Sequence, residues 1–544
     1  MVELARQVPR SLIPGARIGD DRCVTDPQKI VTSPLTVPAL LAHRVRTCGP
    51  DTYVVSPAGA LTYRDADARS ADIARRLLAA GVGKGSRVGL FFPNDLDWVV
   101  WWLALSRIGA LVIPLSTLYA PAEIAKVLRL ADIGLLIAPG QVLGADVAAR
   151  LEAALPGLAQ QDRDGLALPA APYLRRIVLI DGQTLWATPF DTLTGQVPAE
   201  VLAAAEAEVS PADLAIMVHT SGSTADPKGV LHTHGTVVRQ TSTWPAAIRA
   251  VTGSTERPRI LCAMPFFWVG GLLAVMGALH ESVTLLVLPR LDPGTALDLI
   301  EQHRGTGVIG WPAFTQRVRD HPSFADRDLS SAPTLRDGPL DIAMTDVPDG
   351  FPVHRTMSET AGGFAYTDIA IVDDDGAAVA DGEVGELLIR GVGVMAGYNK
   401  RERAEVFDAD GWYHTGDRVY RRADDPRLFY VGRTTDLIKS GGANVSPLEV
   451  EAVISALPGV AQCVVIGVEH PERGEQVCAV VVPAGPGPDI DDIRRRTREQ
   501  LSVYKVPTRW VIATGAQIPT LPSGKFDRKS LAGRVIDGTL RAQS

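Results

Sequence analysis

Short apolar runs alternating with longer amphipathic stretches constrain this chain more than any other feature. Leu61-Thr62-Tyr63 opens a block in which apolar residues recur at helical spacing from about Arg64 to Ala80, and Gly81 suits the end of that helix. Val88 to Phe92 reads as a strand, the stretch near Leu96 to Gly109 as a second helix, and Ala110 to Pro114 as another short apolar strand. Strands alternating with helices predict a parallel sheet covered by helices, an α/β class. A further apolar run, Leu214 to Val218, reads as one more buried strand. With 544 residues, the chain is too long for one simple core, so two or more domains are expected.

Composition excludes several classes. A net charge of −8 argues against a nucleic-acid binder, which carries a basic field. The five cysteines, Cys23, Cys48, Cys262, Cys463 and Cys478, are scattered and odd in number, and no pair has metal-ligand spacing. They read as reduced thiols of a cytosolic protein, and the N-terminus shows no basic-then-apolar leader pattern. Leu261 to Leu279 carries no charge and is long enough to span a bilayer, but Pro265, Gly270, Gly271 and Gly277 interrupt it. It reads better as a buried segment with a pocket-lining turn. Trp98, Trp101 and Trp102 fall near one helix face and read as core. Residues 140–175, rich in Ala, Leu, Gly and Pro, read as a surface helix with loops.

After the strand at Leu214 to Val218 comes Thr220-Ser221-Gly222-Ser223-Thr224-Ala225-Asp226-Pro227-Lys228-Gly229-Val230. Such a loop can wrap a polyphosphate: backbone N–H groups and hydroxyls meet the oxygens, and the lysine neutralises charge. It is not a G-x-x-x-x-G-K-[ST] loop, because Pro227 precedes Lys228 and Gly229 follows it. A solvated Gly/Ser/Thr turn is the plainer alternative. Four more runs carry chemistry: Thr356-Met357-Ser358-Glu359-Thr360; Asp410-Gly411-Trp412-Tyr413-His414-Thr415-Gly416-Asp417, with Gly432-Arg433 beyond it; Lys439 to Glu449, with Ser440-Gly441-Gly442; and Pro522-Ser523-Gly524-Lys525-Phe526-Asp527-Arg528.

In this order, from about residue 61 to 531, the runs resemble the adenylate-forming enzymes, a family that includes acyl-CoA synthetases, the adenylation domains of nonribosomal peptide synthesis, and luciferases. The resemblance implies a large N-terminal domain of helix-covered sheets over residues 1–433, with a sheet-rich segment near 370–430. A small mobile C-terminal α+β domain over 434–544 would carry strands at Val460 to Val468 and Gln476 to Val482 and a helix at Arg494 to Leu501. It implies ATP-dependent activation of a carboxylic acid to an acyl-AMP, then thioester formation with coenzyme A. Replacing a poor leaving group by AMP depends on positioning and charge stabilisation.

The same resemblance assigns roles. Thr220, Ser221, Gly222, Ser223, Thr224 and Lys228 would hold the phosphates, with Ser358 beside them. Glu359 would hold magnesium between phosphate oxygens, as a hard carboxylate ligand does. Asp417 would accept hydrogen bonds from the ribose hydroxyls, and Arg433 would contact ribose or phosphates. Lys525 would bridge carboxylate and phosphate oxygens as charge develops. Ser440, Gly441 and Gly442 would line a tunnel for the thiol arm after domain rotation. The acid would lie near His234, Trp268, Val269, Gly270, Gly271, Trp311 and Pro312, an apolar lining that favours a fatty or aryl acid over a charged amino acid. His234 is either a carboxylate-orienting group or a satisfied core histidine. An acyl carrier protein as thiol acceptor, a non-catalytic nucleotide- or acyl-binding relative, and a homodimer all stay open, with no transmembrane segment expected.

Several positions depart from the family pattern. Ala225 stands where a glycine is usual, Arg355 and Thr356 replace Tyr-Gly, and Thr435 occupies the hinge position that normally carries Asp or Lys. Arg355 could stack on adenine through its guanidinium plane. The interval from Arg336-Asp337-Gly338-Pro339-Leu340 to Val372 is short, which implies a rebuilt wall on the adenine and acyl side.

Overall fold

The computed structural model describes residues 34–220, 226–252, 256–310, 312–333, 335, 356–357, 366–423, 425–433, 437–485, 489–520, 526–540 and 542–543. An eight-stranded sheet forms the centre of the large domain. Its order is Gly397–Tyr398, Lys228–Thr233, Leu214–Thr220, Leu111–Pro114, Arg87–Leu90, Leu135–Ala138, Arg176–Leu179, Thr188–Pro189. From Leu214–Thr220 to Thr188–Pro189 every neighbour is parallel. Parallel strands need covered crossovers, and the amphipathic stretches read from the sequence supply them.

Helix Tyr63–Ala79 begins where Thr62 caps it, with Asp65 closing a capping box. Helix Leu96–Arg107 is buried almost all round, including Trp98, Trp101 and Trp102. It touches strands of the central sheet and of a second sheet. That second sheet runs Gly307–Ile309, Arg259–Cys262, Thr284–Val287, Thr52–Ser56, Gly59–Thr62. One continuous core, including Val54, Val88, Trp102 and Ile260, lies between the two sheets.

The uncharged stretch Leu261 to Leu279 resolves into the end of strand Arg259–Cys262, a turn, and helix Val269–Gly277. Among the described residues no helix is long and apolar enough to cross a membrane. The segment 140–175 is less superficial than its composition suggests. It holds helix Val147–Ala154, and Leu151, Leu155, Leu158, Leu166 and Leu168 belong to the core on the outer face of the central sheet. Alanine-rich composition hid leucines recurring on one side.

An antiparallel third sheet, Thr356–Met357, Asp425–Arg433, Tyr413–Arg422, Gly385–Arg390, Asp368–Val372, closes the large domain. The residues from 437 onward build their own six-stranded sheet, in which Val460–His470 and Gly474–Pro483 form the longest pair. Helices Pro447–Ser455, Ile490–Gln500 and Arg528–Ile536 accompany it, an α+β arrangement. Cys48, Cys262, Cys463 and Cys478 are free thiols, and Cys23 lies outside the described residues.

Candidate functional site

The loop at 221–227 joins two antiparallel strands whose register sets Thr220 directly opposite Lys228. Thr220 is the exposed last residue of Leu214–Thr220, so the loop leaves from the carboxyl end of a central strand, the edge where open α/β sheets bind ligands. Lys228 Nζ lies 5.2 Å from the ring centroid of Tyr398, a cation–π distance. The Tyr398 and Tyr413 hydroxyls are 2.7 Å apart. Tyr413 begins the strand that carries Asp417, about 13 Å further along. A chain of side-chain contacts therefore runs from the loop lysine to the strand of Asp417.

Local bonds fix the backbone at Asp417. Its N–H donates to Thr415 Oγ1 (3.0 Å), the Thr415 hydroxyl donates to the Leu387 carbonyl (2.7 Å), and the Gly416 N–H donates to Glu386 Oε1 (3.0 Å). Asp417 pairs with Arg433 across the two strands, so both candidate ribose contacts share one rung of the ladder. His219 and His232, on the strands that bear the loop, are pushed down to about 4 by burial. They are neutral at pH 7.

The acyl-side residues are placed by a different device. The Asn94 side chain donates to the Met264 carbonyl and accepts from the Phe266 N–H, both at 2.8 Å, clamping the turn that precedes Trp268. Trp268 then starts helix Val269–Gly277 and stands edge-on to Phe267, with ring centroids 5.2 Å apart. Val269 is half exposed, and Gly271 sits so close to Pro265 that an added Cβ would lie 2.2 Å from its carbonyl oxygen. His234 is placed in the interior: fully buried, its Nδ1 accepts the Val37 N–H at 3.3 Å. Burial pushes it to about 4, and its Nε2 is buried with no hydrogen-bond partner among the described residues.

In the small domain, Ser440 ends one strand, and Gly441 and Gly442 turn into the next with φ of +59° and +88°. Both angles lie in the left-handed region that glycine adopts without strain. Ser221, Gly222, Ser223, Thr224, Trp311, Ser358, Glu359 and Lys525 lie outside the described residues, as does the side chain of Arg433. Among the described residues no group of three His, Cys, Asp or Glu side chains could hold a metal ion.

Two candidates escaped the sequence. One is the Tyr398–Tyr413 pair, of which Tyr398 belongs to no recognisable run. The other is Tyr504, whose ring stands at 90° to that of Trp268, with centroids 5.8 Å apart. Only an aromatic residue beside a lysine signals Tyr504, and that pattern is too common to single out.

With this geometry described, comparison with known proteins is informative. A model of the AMP-binding enzyme family matches residues 41–338, and a model of the AMP-binding enzyme C-terminal domain matches 449–525. A methyl-dioxo-octahydro-indenyl-propanoyl:CoA ligase of Mycobacterium tuberculosis is 34% identical over 502 residues, covering 87% of this chain and 94% of the relative. A feruloyl-CoA synthase of an Amycolatopsis species is 32% identical, covering 89% and 96%. Among solved structures, an amide bond synthetase from Marinactinospora thermotolerans superposes with a TM-score of 0.70 at 23% identity, covering 91% of this chain and 99% of that one. A fatty acyl CoA synthetase of Mycobacterium tuberculosis gives 0.59 at 24%, covering 93% and 99%. These last two likenesses concern the fold.

Proposed function

The chain belongs to the AMP-binding enzyme family, and on that premise we propose that it is an AMP-forming acid–thiol ligase that activates a hydrophobic fatty or aryl acid. ATP and the acid give acyl-AMP and pyrophosphate; coenzyme A then displaces AMP to give the acyl thioester. The observation that carries this reading is the rung-and-loop arrangement. A hydroxyl-rich loop leaves the central sheet with Lys228 at its base, and Tyr398 and Tyr413 link that lysine to the strand bearing Asp417. Triphosphate and ribose are the two parts of a nucleotide that such a spacing suits.

In this reading the loop N–H groups and Lys228 hold the phosphates in line for attack, and Asp417 with Arg433 holds the ribose. Lys525 meets the charge that develops between carboxylate and α-phosphate. Glu359 would hold magnesium, which supplies charge neutralisation at the phosphates when bound. The acid lies along Trp268, Val269, Gly270 and Gly271, and Ser440, Gly441 and Gly442 admit the thiol arm. The domain boundary is placed at 433/434, and the protein in the cytoplasm, where its free thiols stay reduced. A carrier protein in place of coenzyme A, and a homodimer, are further outcomes to test.

The test is incubation with ATP, magnesium, coenzyme A and a pooled panel of carboxylic acids, read by mass spectrometry. Acyl-CoA supports the reading and names the acid; acyl-AMP alone points to a carrier-protein acceptor; neither product overturns it. Lys525→Ala should abolish acyl-AMP formation yet leave thioester formation from supplied acyl-AMP largely intact. Equal loss of both would show that Lys525 has another role.

A further inference from the structure

A second constellation lies where the two domains meet. Lys505 of the small domain is 4% exposed, and its Nζ sits 2.7 Å from Glu123 Oε1 of the large domain and 2.8 Å from Glu449 Oε1 of its own. Both carboxylates are buried as well. Each occupies the third position of a helix, Pro121–Leu130 and Pro447–Ser455, so one lysine bridges two helix starts that belong to different domains. The Ser502 hydroxyl also donates to Glu123, whose second oxygen accepts the Ala120 N–H at 2.8 Å. The three-residue turn Val503–Lys505 that brings Lys505 here also seats Tyr504 on Trp268.

We infer that the Glu123–Lys505–Glu449 triad is a latch that holds the small domain closed with Tyr504 as a lid over the acyl region, and that the acid exchanges when the latch opens. This rests on the acyl placement proposed above. Three points carry it. The Lys505 ammonium lies within hydrogen-bond distance of both carboxylates, so in the closed arrangement each of the three buried side chains has a polar partner. The pairs are unequal in their consequences: Lys505–Glu449 lies within one domain, whereas Lys505–Glu123 crosses between them. Beside the latch the seam stays open as a crevice of about 480 Å³, with Leu118, Tyr119 and Arg150 on one wall and Arg498, Leu501 and Val503 on the other. An inter-domain interface with an open crevice beside its buried cluster is one that can separate. Lys505, Glu123 and Tyr504 are thus positioning residues, acting on the acid through the place of the small domain.

Glu123→Gln is the clean variant. Glutamine at the third helical position still serves the capping box, so the helix keeps its start while the cross-domain charge is lost. Glu449→Gln is the control, because it leaves the cross-domain pair in place. Small-angle X-ray scattering of the full chain should show an expanded radius of gyration for E123Q and not for E449Q. The ratio of adenylation to thioester formation, together with the KM for the acid, should move at least tenfold in E123Q, the scale set by losing one partner of a buried charge pair. Tyr504→Ala should raise acid exchange rates without the expansion. Equal scattering of E123Q and wild type would overturn the latch, even if the enzyme is active. Absence of any acyl-AMP would instead sink the ligase reading, while the scattering comparison would still test the latch.

Discussion

Acidification should unfold the large domain within a narrow and calculable window. His219 and His234 are buried there, and burial pushes each from an ordinary value near 6.5 to about 4. In the unfolded chain both take up a proton as pH falls through about 6.5; in the folded chain neither does until about 4. The folded pKa is depressed, so the stability held above pH 6.5 is lost as pH falls toward 4. At 1.36 kcal/mol per unit, a depression of about 2.5 units is worth about 3 kcal/mol per histidine, roughly 7 kcal/mol for the pair. That rivals the total stability of a typical domain. His232 and His280 are displaced in the same direction but keep some exposed edge, so their contribution is smaller. Carboxylates held below their usual range, such as Asp65 and Asp292, act only below about pH 4 and do not confuse the window. The assay is urea denaturation from pH 7.5 to 4.5, resolved into two transitions by calorimetry. The large-domain transition should lose between two and four protons' worth of stability per pH unit near pH 5, about 3–5 kcal/mol. The small domain holds none of these four histidines and serves as the internal reference. His219→Gln should remove about one proton from the slope. A large-domain slope below one proton per molecule would refute the reasoning, since it would mean that water reaches these rings in the folded state.

Two smaller tests follow. Gly271→Ala should cost about 1–3 kcal/mol or more in thermal denaturation, because its Cβ meets backbone oxygens of Pro265 and Met264 that cannot yield; Gly270→Ala should be milder, since its nearest neighbour is the flexible end of Met264, and equal costs would contradict the placement of the turn. Asp417→Asn should weaken nucleotide binding roughly tenfold or more, the scale of a hydrogen bond to a charged group, with coenzyme A affinity unchanged; calorimetric titration with a non-hydrolysable ATP analogue checks it.

Residues that one ligand would touch tend to fall in short runs, and Thr220 to Val230 and Asp410 to Asp417 were singled out on that ground. The helix-and-strand alternation that packs them was legible, since period and capping are local. The rung joining Asp417 to Arg433 was half legible: both residues were chosen, but their pairing is a property of strand register. His234 was readable as either ligand or core, and the contact that seats it, with Val37 from 197 positions away, could not be read from sequence. The latch was not legible at all. Glu123 and Lys505 are 382 residues apart, and charges of their type are ordinarily solvated. What joins them is the contact between two distant helix starts and a turn, which no local pattern records. If the latch governs acid exchange, the residues that set specificity in such a chain are of two kinds. Those that line the pocket are written in motifs, and those that decide when it opens are written in the distance between domains.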